Sequence, residues 1–196
     1  MSSWPVPKYT LEEYLAIDEA SDVRNEYLSG YIVAMAGNSP EHARIVNNLG
    51  YRLNLAFEDK PCEPWFGDTR VVANQTGYVY PNISITCNEP EFLPTNPKTL
   101  TNPLVIIEVL SESTQKIDRL EKFLKYQELN SLEHYVLVSQ DQPLVEVYTR
   151  QPKGHWDYLP LRSLDAVMEL PAIDFTLPLS LIYRRIEFPV TLEMSE

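Results

Sequence analysis

The sequence predicts an α+β fold of α/β-like character: a mixed β-sheet flanked by helices, with extra β-hairpins. Three observations predict it. The run Leu104–Leu110 is apolar apart from Glu108, so it reads as a central strand buried on both faces. A helical segment between residues 110 and 134 can return the chain for parallel pairing with a second apolar run at 134–139. Around this unit lie β-rich runs joined by short turns, which imply antiparallel neighbours.

The elements follow in order. Thr10-Leu11-Glu12-Glu13 is a capping box and opens a short helix to about Glu19. Asn25–Leu28 and Tyr31–Met35 flank Ser29-Gly30 and read as a hairpin. Ser39-Pro40-Glu41 is a second helix start, with a hydroxyl cap, Pro at the first helical position and an acid at the positive end of the dipole. Ile45, Leu49, Leu53 and Phe57 then recur every four residues, so one face of a helix reaching about Asp59 is buried. Strands are expected at about 63–73, 78–87 and 103–110, and the turn-rich residues 88–102 as a long loop. Ser113 or Thr114 can cap a third helix to about Leu129. Strands follow at 134–139, 144–149 and 155–160, with another at 165–169 before a Pro-bounded tail.

Composition bounds the function. At 196 residues the chain suits one domain, 1–196, with one core. Sixteen prolines against six glycines point to stiff connections and short elements. No run is long enough to span a bilayer, and Met1-Ser2-Ser3-Trp4-Pro5 is not a secretory signal. With no CxxC, Cys62 and Cys87 read as reduced thiols, and the expected location is cytoplasmic. The net charge of −12 argues against tight non-specific binding to nucleic acid, although a local basic rim can coexist with an acidic body. The hairpin-rich C-terminal half presents apolar strand edges, so a homodimer is expected.

Glu108 is the first candidate for chemistry. A carboxylate near the end of a buried strand is costly unless it is paired, hydrogen-bonded or bound to a metal. It can be a strand-end acid that reaches solvent or pairs with a lysine; its place at the C-terminal end of the strand, where open α/β sheets place ligands, favours function. Asp118, Lys122 and Tyr126 share one side of the next helix, though Asp118 and Lys122 taken alone read sooner as a common surface ion pair. Lys116, Arg119 and Lys125 make that helix the most basic segment and the candidate phosphate-facing surface. Pro81-Asn82 can be a site element or a simple bend; Glu26 can be a ligand or an exposed strand acid. His42 lies in the first turn of the long helix, at the site or solvated.

Taken together, Asn25–Gly30, Met35-Ala36-Gly37, Ser39-Pro40-Glu41-His42, Tyr80–Ile85, Pro103–Ser111 and Asp118–Tyr126 form an ordered series. It resembles the Uma family of bacterial restriction endonucleases within the PD-(D/E)XK nuclease superfamily, over about residues 8–185. The resemblance implies a restriction-endonuclease-like fold and a Mg²⁺- or Mn²⁺-dependent endonuclease that hydrolyses DNA. It implies that Glu108 is a metal ligand and Glu26 an upstream acid of the metal site. In the family the lysine is absent from the strand, and Leu110 occupies its place here; the resemblance implies that Lys122 supplies the catalytic cation. Tyr126, Asp118 and His42 are accessory. The family has Asp where this chain has Asn82. An amide offers only a neutral carbonyl oxygen, which weakens a metal site and leaves open a degenerate domain used for binding or assembly.

Overall fold

The computed structural model describes residues 8–35, 39–111 and 115–188. Helix α1 (Leu11–Ala20) opens on the expected capping box: Thr10 Oγ1 accepts the Glu13 amide at 3.2 Å, and the Glu13 carboxylate accepts the Thr10 amide at 2.7 Å. Strands β1 (Asn25–Leu28) and β2 (Tyr31–Ala34) form the expected hairpin. Ser29 at φ 55° and Gly30 at φ 92° give its turn the two positive φ values that match strand twist. Helix α2 (Pro40–Phe57) is capped by Ser39, and its stripe of Ile45, Leu49, Leu53 and Phe57 is buried.

Two runs expected as single strands are each divided. β3 (Cys62–Phe66) and β4 (Arg70–Asn74) are parted by a turn at Gly67. β5 (Gly77–Val79) and β6 (Ile83–Cys87) are parted by Tyr80-Pro81-Asn82, where Pro81 cannot donate to a ladder. Residues 88–102 are not one loop. They hold β7 (Phe92–Leu93) and β8 (Asn96–Leu100), and β8 pairs parallel with β4, Thr99 opposite Arg70. Long-range pairing that buries Thr99 and Leu100 outweighs the turn-rich composition there.

Beyond strand β9 (Val105–Leu110), helix α3 has two parts: a π-helical stretch, Ile117–Lys122, runs straight into an α-helical turn, Phe123–Tyr126. The expected caps Ser113 and Thr114, like Ala36 and Gly37 of the motif series, lie outside the described residues. The meander β10 (His134–Ser139), β11 (Val145–Arg150) and β12 (Trp156–Leu161) stands as expected. The tail adds the hairpin β13 (Val167–Leu170) and β14 (Phe175–Pro178), then the short helix α4 (Leu179–Ile182).

The strands form two six-stranded mixed sheets, β12-β11-β10-β9-β6-β3 and β2-β1-β5-β4-β8-β7, with β13-β14 apart. β9 and β10 run parallel, His134 opposite Val105, so the helix-return unit read from sequence is present. Alternation along β9 sorts its side chains. Val105, Ile107 and Val109 pack with α2, β13 and β14. Ile106 and Leu110 pack toward α3 and the second sheet. Glu108 is in phase with Ile106 and Leu110, so it projects between the sheets toward α3.

One expectation fails and another loses support. Cys62 stands opposite Cys87 in the antiparallel β3–β6 pair, and the two form a disulfide instead of remaining reduced thiols. The apolar strand edges behind the expected homodimer are also largely covered. β13 and β14 bury Met168, Leu170, Phe175 and Leu177 in the chain's own core, which leaves Tyr158 and Leu159 as exposed apolar residues of the edge strand β12. No helix among the described residues is long and apolar enough to cross a membrane.

Candidate active site

Four elements bring the expected residues together. β9 supplies Glu108, β1 supplies Glu26, the bend before β6 supplies Asn82, and α3 supplies Asp118, Lys122 and Tyr126. Lys122 Nζ lies 2.9 Å from Glu26 Oε1, 3.1 Å from Glu108 Oε1 and 3.0 Å from Asp118 Oδ1. Asp118 and Lys122 are thus no solvated surface pair: they are 2% and 5% exposed, and Glu26 is no exposed strand acid at 5%. Tyr126 donates its hydroxyl to Glu108 Oε1 at 3.3 Å. His42 is buried beside the Asn82 side chain and the Val109 backbone, and its Nδ1 has no hydrogen-bond partner among the described residues.

Helix geometry explains the alignment. Over four residues an α-helix advances about 40° past a full turn, so side chains at i, i+4 and i+8 drift steadily around its axis. The wider π turn, closing i→i+5 bonds, falls short of a full circle over the same four residues. Asp118 to Lys122 lies in the π stretch, while Lys122 to Tyr126 lies across the α turn. The two drifts oppose each other and keep all three residues facing Glu108.

The electrostatics follow from burial. Loss of water pushes the Glu108 carboxyl up to about 8, against the pull of the Lys122 ammonium and with the push of Asp118 and Glu26. Burial alone would lower the Lys122 pKa, but Glu108, Glu26 and Asp118 together hold it well above the usual lysine value. The Tyr126 phenol is raised by burial and by the acids beside it. Burial lowers the His42 pKa and favours the neutral ring, although Val109, Asn82 and Asp118 act in the other direction.

A divalent metal is a separate matter. Three carboxylates are a donor set of the kind Mg²⁺ takes. Their arrangement does not make a metal shell. All three converge on Lys122, and among the described residues no group of three or more His, Cys, Asp or Glu side chains is placed to hold an ion. Asn82 explains part of this. Its Oδ1 accepts the Val109 amide at 2.7 Å, and its backbone N–H donates to Glu108 Oε2 at 3.2 Å. Only the oxygen can accept the Val109 N–H, so the other end of the side-chain amide is NH₂, a donor that repels a cation. An aspartate would offer a second anionic oxygen there.

Several contributors carried no sequence signal. The Tyr80 amide donates to Glu26 Oε1 at 3.0 Å, and the Tyr135 hydroxyl donates to the Asp118 carbonyl at 2.9 Å. A backbone amide has no sequence signature, and Tyr135 reads as one core aromatic among many. Lys125, counted among the phosphate-facing residues, instead donates to Ser29 Oγ and Thr76 Oγ1, and Arg119 pairs with Glu146.

Known proteins are similar throughout. The uncharacterized proteins slr1290 and sll1609 of Synechocystis sp. are each 32% identical. The first match covers 95% of this chain and 97% of the relative, the second 82% and 91%. A crystal structure titled as a "putative nuclease belonging to DUF820" from Anabaena variabilis matches with a TM-score of 0.74 at 18% identity, covering 89% of this chain and 97% of that one. That likeness shows the fold, a mixed α+β architecture. The model of the Uma2 family, described as "Putative restriction endonuclease", matches residues 11–180. By that match, and by relatives aligned over almost their whole length, the chain belongs to the Uma2 family.

Proposed function

We propose that this chain is a nuclease acting on DNA phosphodiester bonds, with an active site at Glu108, Lys122, Glu26 and Asn82. The observation that carries the reading is the buried Lys122 ammonium set among Glu26, Glu108 and Asp118 beside the end of β9. A fixed cation in a water-poor site is the device that stabilises charge developing on a phosphoryl group. Glu108, held near neutrality in its pKa, is suited to exchange a proton with an attacking water. Tyr126 and Asp118 position Glu108 and Lys122, and neutral His42 lies beside Asn82. The family resemblance implies a Mg²⁺ or Mn²⁺ ion, and Asn82 weakens whatever affinity Glu108 and Glu26 have for it.

The second reading is a degenerate nuclease fold used for binding or assembly. The Asn82 amide, locked by Val109, favours it. Nicking of supercoiled plasmid with Mg²⁺, with Mn²⁺ and with chelator separates the two. The nuclease reading expects Asn82→Asp to raise cleavage at least tenfold with either metal, and Glu108→Ala or Lys122→Ala to abolish it. If no variant cleaves DNA and calorimetry finds no Mn²⁺ site that depends on Glu108, the binding module stands instead.

A further inference from the structure

The cations expected to face phosphate are largely engaged inside the molecule. On α3, Lys122 is buried among three acids, Arg119 pairs with Glu146 and Lys125 is held by two hydroxyls, which leaves Lys116 exposed. A different surface collects positive charge. Between Glu41 and Glu58, the faces of α2 carry no acid in a chain with 28 Asp and Glu. They carry Arg44 and Arg52, with the amides Asn47, Asn48 and Asn54 and the exposed ring of Tyr51.

Two more arginines are brought to the same strip. Asn48 Nδ2 donates to the carbonyls of Ile182 and Arg184 at 2.9 Å each, and Arg44 Nη1 donates to the Arg185 carbonyl at 2.7 Å. These bonds fix the turn after α4 against α2 and leave the Arg184 and Arg185 side chains exposed. Tyr51, Arg52 and Arg184 line one surface depression together. None of the four arginines pairs with a carboxylate among the described residues. Four of the sixteen Lys and Arg thus stand together, unneutralised, on a body of net charge −12.

We infer that the α2–α4 strip of Arg44, Arg52, Arg184 and Arg185 is the docking surface for the phosphate backbone of duplex DNA. The ligand class rests on the nuclease reading; the surface is an additional site on the flank of α2, about 100° around the axis from the residues it buries. Arginine suits it, because the planar guanidinium matches a phosphate in two-point contact. Asparagine amides and tyrosine hydroxyls are common further phosphate donors. The location is also apt. α2 starts at the site, where His42 adjoins Asn82, and Arg52 stands ten residues on, about 15 Å along the axis. A polyanion lying on the strip would extend toward the catalytic cluster, and the acidic remainder of the surface would repel it elsewhere.

Binding of a fluorescein-labelled 20-base-pair duplex, followed by anisotropy in EDTA across a salt series, tests the strip without any need for cleavage. Wild type is expected to bind. Arg52→Ala/Arg184→Ala should weaken binding at least tenfold and reduce the log–log salt slope by about 1.8, at about 0.9 for each lost phosphate contact. Arg52→Lys/Arg184→Lys should keep most of the slope, which separates charge from misfolding. An unchanged slope in the alanine double variant overturns the proposal. So does a wild type that ignores DNA but binds phosphatidylserine vesicles or pairs with a second copy through these arginines. If the strip binds DNA and no form cleaves it, the docking surface survives and the nuclease reading falls. If wild type and the alanine variant bind and cleave equally, the reverse holds.

Discussion

A single residue decides the character of the site. Asn82 was legible as a departure from an acidic pattern, and Glu108 was legible as a charge inside an apolar strand. What could not be read was how the Val109 amide orients the Asn82 side chain, because backbone donors have no letter in a sequence. Glu108 also makes stability depend on pH. Its carboxyl has an ordinary value of 4.5 and is pushed up to about 8 in the folded chain by burial. Between these values the folded state holds a proton that the unfolded state lacks, so stability falls as pH rises through the window. Glu108→Gln removes that linkage. The variant should match wild type near pH 4.5 and melt at increasingly higher temperature than wild type as pH rises to 8.5. A melting-temperature gap that stays flat between pH 5 and 8.5 contradicts the assignment.

Elements with strong periodicity were legible, and those made by long-range pairing were not. The four-residue spacing of Ile45, Leu49, Leu53 and Phe57 defined α2, and all four are buried against the sheet that holds β9. Leu53 is fully buried, so Leu53→Ala should cost about 2–5 kcal/mol, read as a lowered urea midpoint with an unchanged slope. A loss under 1 kcal/mol would mean that this face is not core. β8 shows the opposite case. Asn96-Pro97-Lys98-Thr99-Leu100 has no strand pattern of its own, and only pairing with β4 and β7 makes it one. The π stretch of α3 was equally hidden, since Ile117–Lys122 reads as ordinary helix from its composition.

At the scale of the whole molecule, the parallel β9–β10 unit was visible as two apolar runs with a helix between them, but the division into two sheets was not. Neither was the Cys62–Cys87 bond, because residues 25 apart meet only once β3 and β6 pair. Closing a loop of that length restricts the unfolded chain by about 3.5 kcal/mol. Cys62→Ser/Cys87→Ser should therefore unfold about 3.5 kcal/mol more easily than the oxidised protein, and dithiothreitol should bring wild type down to match. Equal stability with and without reductant would show that the bond is not formed in solution. The wider turn of α3 bears on how such a protein can diverge. A copy that lost one codon there, at the exposed Leu120 for instance, could relax to a regular helix and still connect the same two strands. Asp118 and Lys122 would then stand three residues apart on a regular helix, about 60° short of a full turn and on the same side as in the wider turn. The charge constellation would keep its facing with one residue fewer, so the length of this segment can differ between relatives that share a chemistry.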